Sequence, residues 1–145
     1  MIGTLGVMPE LTDLHERLAA LEGEWEGTEE LAPSPWSPGG TAHARMSFAV
    51  AAGGFAVLQD YASDTGLTGH GVLSVSGEEI LYHWFDSIGY PSQTARGAFD
   101  GDALVLERTS PRGTNRTTLT PDGERLRQTI AVDGTTLVEA TYTRG

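Results

Sequence analysis

The 145-residue chain contains no cysteine and no lysine; all nine of its basic residues are arginine. The lack of cysteine excludes a thiol nucleophile, a thiolate metal site and a disulfide framework. The lack of lysine excludes a Schiff-base lysine and a Walker-type phosphate loop. No segment approaches the ~20 consecutive apolar residues of a membrane span. The opening, MIGTLGVMPELTDLHERL, lacks a basic stretch followed by an apolar run. No signal peptide is therefore expected, and a cytoplasmic protein is the default reading.

Positive charge is scarce. The formal net charge is −11 and the pI about 4.6. Such a field repels phosphate backbones and anionic lipid, so neither a nucleic-acid partner nor a membrane partner is expected. The charge is uneven: residues 1–30 carry eight acidic groups and only Arg17, whereas Arg108, Arg112, Arg116, Arg125 and Arg127 crowd one later stretch. With 39% hydrophobic and 20% charged residues the chain has the composition of a folded globular protein. Its length fits one domain, 1–145, able to bury roughly 68–70% of the surface it would expose unfolded.

Leu11, Leu14, Leu18 and Leu21 recur at helical spacing. Asp13 followed by Glu16 has the form of a capping box, and Gly23 is a stop signal. Together they predict one helix over about 12–22. Everything after it reads as strand and turn, with the barrel over about 23–144. Asp100-Gly101, Asp122-Gly123 and Asp133-Gly134 lie between strand-like runs, and Asp-Gly tolerates the positive φ of a type I′ hairpin turn. Gly53-Gly54 and Gly77-Glu78 read as further turns. The longer breaks are SPWSPGG, SDTGLTG, SIGYPSQ and SPRGT. The count is about ten short strands. Hairpin-linked strands form an antiparallel meander, and a meander of that length curls and closes, which removes its edges. The predicted fold is therefore all-β, an antiparallel barrel with a short N-terminal helix. More than eight strands leave room inside for a ligand.

The segment LEGEWEGTEE, residues 21–30, sets a large apolar side chain among five glutamates. Strand alternation resolves this. Glu24, Glu26, Thr28 and Glu30 form the solvent face, and Trp25, Gly27, Glu29 and Leu31 point inward. Glu29 is then an inward acid, either a general acid or base or the partner of an arginine such as Arg45.

A short helix, Gly-x-Trp at the first strand, a meander and a terminal arginine resemble the calycin superfamily of lipocalins, fatty-acid-binding proteins and nitrobindin-like barrels. The resemblance implies a barrel floor made by Trp25 with Arg144 packed across it. A bacterial calycin-like family of unknown function is more similar still. Its motifs appear here as Leu21-Glu22-Gly23-Glu24-Trp25-Glu26-Gly27, Gly69-His70-Gly71, Trp84-Phe85-Asp86-Ser87, Gly97-Ala98-Phe99-Asp100-Gly101 and Thr141-Tyr142-Thr143-Arg144. That likeness runs from about residue 14 to 144. It implies a fold and no established activity. The nitrobindin-like members imply a haem held by a histidine from the C-terminal part of the barrel. The histidines here are His15, His43, His70 and His83, none in 84–145, so no cofactor is expected. Fatty-acid carriers use Arg-x-Tyr near the chain end. Here the order is reversed, Tyr142-Thr143-Arg144.

The hairpin GHGVLSVSGEEILYHWFDS offers two faces. A two-residue turn at Gly77-Glu78 pairs Val72 with His83, His70 with Phe85, Gly71 with Trp84, Leu73 with Tyr82 and Gly69 with Asp86. If Tyr82, Trp84 and Asp86 point inward, the cavity is aromatic with one acid and suits an apolar molecule with a polar handle. If His70 and His83 point inward, they are catalytic candidates, diagonal neighbours roughly 7–8 Å apart and able to move protons near neutral pH. No third ligand accompanies them, so no metal site is expected. On the run FAVLQDY, Gln59 and Tyr61 share a face with Phe55 and Val57 and are candidate ligand contacts. Arg125 and Arg127 alternate with Leu126 and Gln128, which places them toward solvent.

The leading functional reading is a barrel that binds a small, largely apolar molecule. The alternatives are a cyclase, isomerase or hydrolase acting on an apolar substrate held in one conformer, and an interaction domain whose barrel is filled by side chains. A homodimer is one assembly the sequence allows.

Overall fold

The computed structural model describes residues 8–35, 38–91 and 94–145. Parts of the SPWSPGG and SIGYPSQ breaks fall outside them. Helix α1 (Asp13–Ala19) precedes ten strands: β1 (Gly23–Leu31), β2 (Gly40–Ala51), β3 (Ala56–Ser63), β4 (Thr68–Ser76), β5 (Glu79–Asp86), β6 (Thr94–Asp100), β7 (Ala103–Ser110), β8 (Gly113–Asp122), β9 (Arg125–Val132) and β10 (Thr135–Arg144). A single 3₁₀ turn, Ala52–Gly54, links β2 to β3. Each strand pairs antiparallel with its neighbour in sequence, and β10 closes on β1, giving a closed barrel in meander order. Among the described residues no helix is long and apolar enough to cross a membrane.

The alternation along β1 explains the tryptophan among glutamates. Trp25 is 1% exposed and Glu29 4%, while Glu24, Glu26, Thr28 and Glu30 are exposed. Trp25 donates its indole N–H to the Leu21 carbonyl at 2.9 Å. Arg144, its partner across the β1–β10 seam, lies with its guanidinium 4.1 Å from the ring centroid. The same side chain donates to the carbonyls of Glu22 and Ala20. Trp25 and Arg144 thus tie the first strand, the last strand and the end of the helix together. Gly27 is part of that seam: a Cβ there would collide with the Thr141 carbonyl.

Helix α1 covers this closed end with Leu18 and Leu21, both 2% exposed. It is shorter than 12–22. Its N-cap is Thr12 rather than Asp13, and His15 takes the reciprocal role of the capping box, its Nδ1 accepting the Thr12 N–H at 2.9 Å. At the other end the N–H groups of Leu21 and Glu22 reach back only three residues, to the carbonyls of Leu18 and Ala19. This tightening lets the chain turn into β1 at Gly23, whose φ is +136°. The leucine periodicity continues through that non-helical turn because Leu21 still packs inward, and Leu11 lies outside the helix and is exposed.

All three Asp-Gly hairpins form, with a difference in phase. At Asp133-Gly134 both residues have positive φ, 49° and 84°, the demand of a type I′ turn. In the other two, Asp100 pairs with Ala103 and Asp122 with Arg125. There the aspartate ends the strand, and glycine alone takes the positive φ, 62° in each.

Candidate functional site

The strand directions gather the connections after β1, β3, β5, β7 and β9 at the end opposite α1. Below that open end lies a cavity of about 280 Å³. A wider recess of about 570 Å³ at the mouth shares Trp84, Asp86, Arg108 and Asn115 with it.

One wall is aromatic. The β4–β5 register is the expected one, with Gly71 opposite Trp84 and Leu73 opposite Tyr82. Tyr82, Trp84 and Asp86 face the cavity, as do Gln59 and Tyr61 from β3. Tyr61 and Trp84 meet edge to face at 5.9 Å, and Tyr82 and Trp84 lie at 6.1 Å with their planes tilted by 30°. The Gly69-His70-Gly71 motif accounts for this geometry. A Cβ on Gly69 would strike the Trp84 ring, and one on Gly71 would lie 2.7 Å from both Tyr82 Cε1 and Gln59 Oε1. The glycines leave β4 bare so that two large rings can lean across it.

The polar atoms of this wall are bound to one another. Tyr82 donates to Gln59 Oε1 at 2.6 Å. Trp84 donates its indole N–H to Asp86 Oδ2 at 2.9 Å, and the other Asp86 oxygen accepts the Ile88 N–H at 3.0 Å. Asp86 therefore orients Trp84 and the loop after β5. Deeper in the barrel Glu29 accepts the Tyr61 hydroxyl at 2.8 Å and the Tyr142 hydroxyl at 2.6 Å. Arg45 is exposed on the outer face, so the arginine partnership suggested for Glu29 is replaced by two tyrosines. Burial is the main reason the Tyr61, Tyr82 and Tyr142 hydroxyls are held far above the ordinary tyrosine range. Glu29 adds to the rise for Tyr61 and Tyr142, while Arg108 opposes it for Tyr82.

The facing wall comes from β7, β8 and β9 and carries Arg108, Asn115, Thr117, Leu119, Gln128 and Ile130. Sequence reasoning did not single out this wall. Its signal was present in the alternation of β7, where Leu104 and Leu106 are 1% exposed and Arg108 continues their face. The arginines of β9, Arg125 and Arg127, are exposed as expected.

His70 and His83 do not reach the cavity. Both lie on the outer face, because residues adjacent to inward Gly71 and Trp84 must point outward. His70 Nδ1 is 2.5 Å from Asp60 Oδ1, with both side chains at least 70% exposed. His83 Nδ1 is 3.1 Å from the Thr94 hydroxyl. The histidine pair as acid–base machinery inside the barrel is thus not assembled.

No family model matches the chain, and no curated protein matches it in sequence. Among solved structures, that of Rv2717c from M. tuberculosis has a similar fold, with a TM-score of 0.68 and 18% identity over 94% of this chain and 99% of that one. At that identity the likeness concerns the fold alone.

Proposed function

We propose that the protein binds a small, largely apolar molecule inside the barrel, between the Tyr61–Tyr82–Trp84 wall and the β7–β9 wall. The observation that carries this reading is an aromatic wall whose polar atoms are already satisfied, so a ligand can cover the rings without stripping a hydrogen bond from them. A barrel packed solid by its own side chains would leave no such space, and the 280 Å³ cavity favours binding over a filled interaction domain. The ten-strand meander with its Trp25–Arg144 floor supports placing the chain among calycin-like barrels.

Full burial of an aromatic body of about 200–250 Å² contributes roughly 5–8 kcal/mol before ordering costs. Only the surplus over those costs appears as affinity, so the dissociation constant is expected to be micromolar or weaker. The test uses N-phenyl-1-naphthylamine, a neutral probe that fluoresces in apolar surroundings. Saturable 1:1 enhancement is expected, together with a rise in Tm when the probe is in excess. Trp84→Ala should remove both while its own melt stays cooperative. No enhancement in the wild type, or the same enhancement in Trp84→Ala, would contradict the reading. Native mass spectrometry of freshly purified protein, followed by denaturation, would identify any natural molecule carried through.

A further inference from the structure

Resting on that reading of the barrel, one side chain indicates what kind of molecule it takes. Arg108 is the one basic residue among the described residues lining the inner cavity, and it also lines the mouth recess. It is half-buried. Three neighbouring arginines are paired or stacked, and Arg125 and Arg127 on β9 are exposed on the outer face. Arg96 bonds Glu79 at 2.8 Å, Arg116 reaches Glu107 at 2.6 Å, and Arg112 lies over the Tyr90 ring. Among the described residues the Arg108 side chain has neither a hydrogen bond nor an ion pair. The acids that share its cavity are engaged: both Asp86 oxygens accept N–H groups, and Glu29 accepts two tyrosine hydroxyls. Directly opposite Arg108 across the β7–β8 pair stands Asn115. Its carbonyl oxygen accepts the Thr117 hydroxyl at 3.4 Å, which leaves its amide N–H groups for the cavity.

We propose that Arg108 and Asn115 form a seat for an anionic group at the cavity mouth, so that the ligand is an amphiphilic acid with its apolar body inward. A guanidinium fork beside an amide presents only donors, the arrangement that suits carboxylate or sulfonate oxygens. The orientation follows from position: Arg108 and Asn115 line the mouth recess, whereas Glu29 lies deeper among the tyrosines and repels an anion entering head first. Asp86 also lines the mouth, and its oxygens are turned to the Trp84 and Ile88 N–H groups. The overall charge of −11 also disfavours anions. Any preference for one must therefore arise locally.

The test compares 1-anilinonaphthalene-8-sulfonate with N-phenyl-1-naphthylamine, which share an aromatic body and differ by the sulfonate. The wild type should bind the sulfonate roughly tenfold or more tightly than the neutral probe, the scale of a charge-assisted hydrogen bond. In Arg108→Met the ratio of the two constants should fall to about one or below, whereas Arg125→Met, on the outer face, should keep it. Asn115→Asp sets a carboxylate opposite Arg108 and should lower the ratio too, which provides a second readout if Arg108→Met fails to fold. Neutral-probe binding with no sulfonate preference overturns the anion seat and leaves the cavity reading standing, and a preference that survives Arg108→Met overturns it equally. Binding of neither probe overturns the cavity reading and the inference with it.

Discussion

At the scale of single residues the centre of the molecule is Glu29, an acid 4% exposed that is held by two phenols and no cation. Its carboxylate accepts from both. An amide in its place offers one neutral oxygen in place of two charged ones, so both phenols donate to a weaker acceptor. Glu29→Gln should therefore lower unfolding stability by roughly 1–3 kcal/mol, read from the denaturant midpoint. Tyr142→Phe should cost less, because Tyr61 still satisfies the carboxylate. The three tyrosines also set a pH dependence. Burial holds their folded-state ionisation above the ordinary tyrosine value of about 10. The stabilisation is thus fully present below about pH 10 and falls as pH rises beyond it, because there the unfolded chain releases phenolic protons that the folded chain retains. The denaturant midpoint should decline above about pH 10, and in Tyr90→Phe, which removes the exposed fourth tyrosine, tyrosinate absorbance should appear together with unfolding. Ionisation of these tyrosines in the still-folded protein would contradict that account.

At the scale of elements, the bare strand β4 and the seam β1–β10 do the positioning. Gly71→Ala inserts a methyl where Tyr82 Cε1 and Gln59 Oε1 already lie 2.7 Å from the Cβ position. The rings must shift, at a cost of roughly 1–3 kcal/mol and with weaker probe binding. At the floor, Arg144→Ala removes a cation from the Trp25 face and a donor from the Glu22 and Ala20 carbonyls. It should lower stability by roughly 1–3 kcal/mol, measured by thermal or denaturant melts. These elements are where reading the sequence succeeded best. A two-residue turn at Gly77-Glu78 dictates every pair of the β4–β5 hairpin; the meeting of Trp25 and Arg144 was implied by the calycin resemblance, and a meander that returns its last strand to its first is its physical reason. Contacts across the barrel interior were harder to read. Tyr142 and Glu29 are 113 residues apart, and alternation states that each points inward without stating that they meet. Arg108 was readable as inward from Leu104 and Leu106, but it stood out only as one of the arginines crowding one stretch of the sequence. The helix end and two of the Asp-Gly turns were displaced by one to three residues, because leucine spacing outlasts the helix and aspartate is equally able to end a strand.

At the scale of the whole molecule, ten strands are more than the side chains facing inward fill, and α1 with the Trp25–Arg144 pair closes only one end. The cavity is what remains, and its opening lies at the mouth lined by Trp84, Asp86, Arg108 and Asn115. The most direct test of this account fills that space. Thr117 lines the cavity from β8, and Thr117→Trp projects an indole toward the aromatic wall. Fluorescence titration with N-phenyl-1-naphthylamine should give one saturable site in the wild type and none in Thr117→Trp, with a cooperative melt in both. A probe that binds the filled barrel as well as the open one would place the site elsewhere and contradict the account.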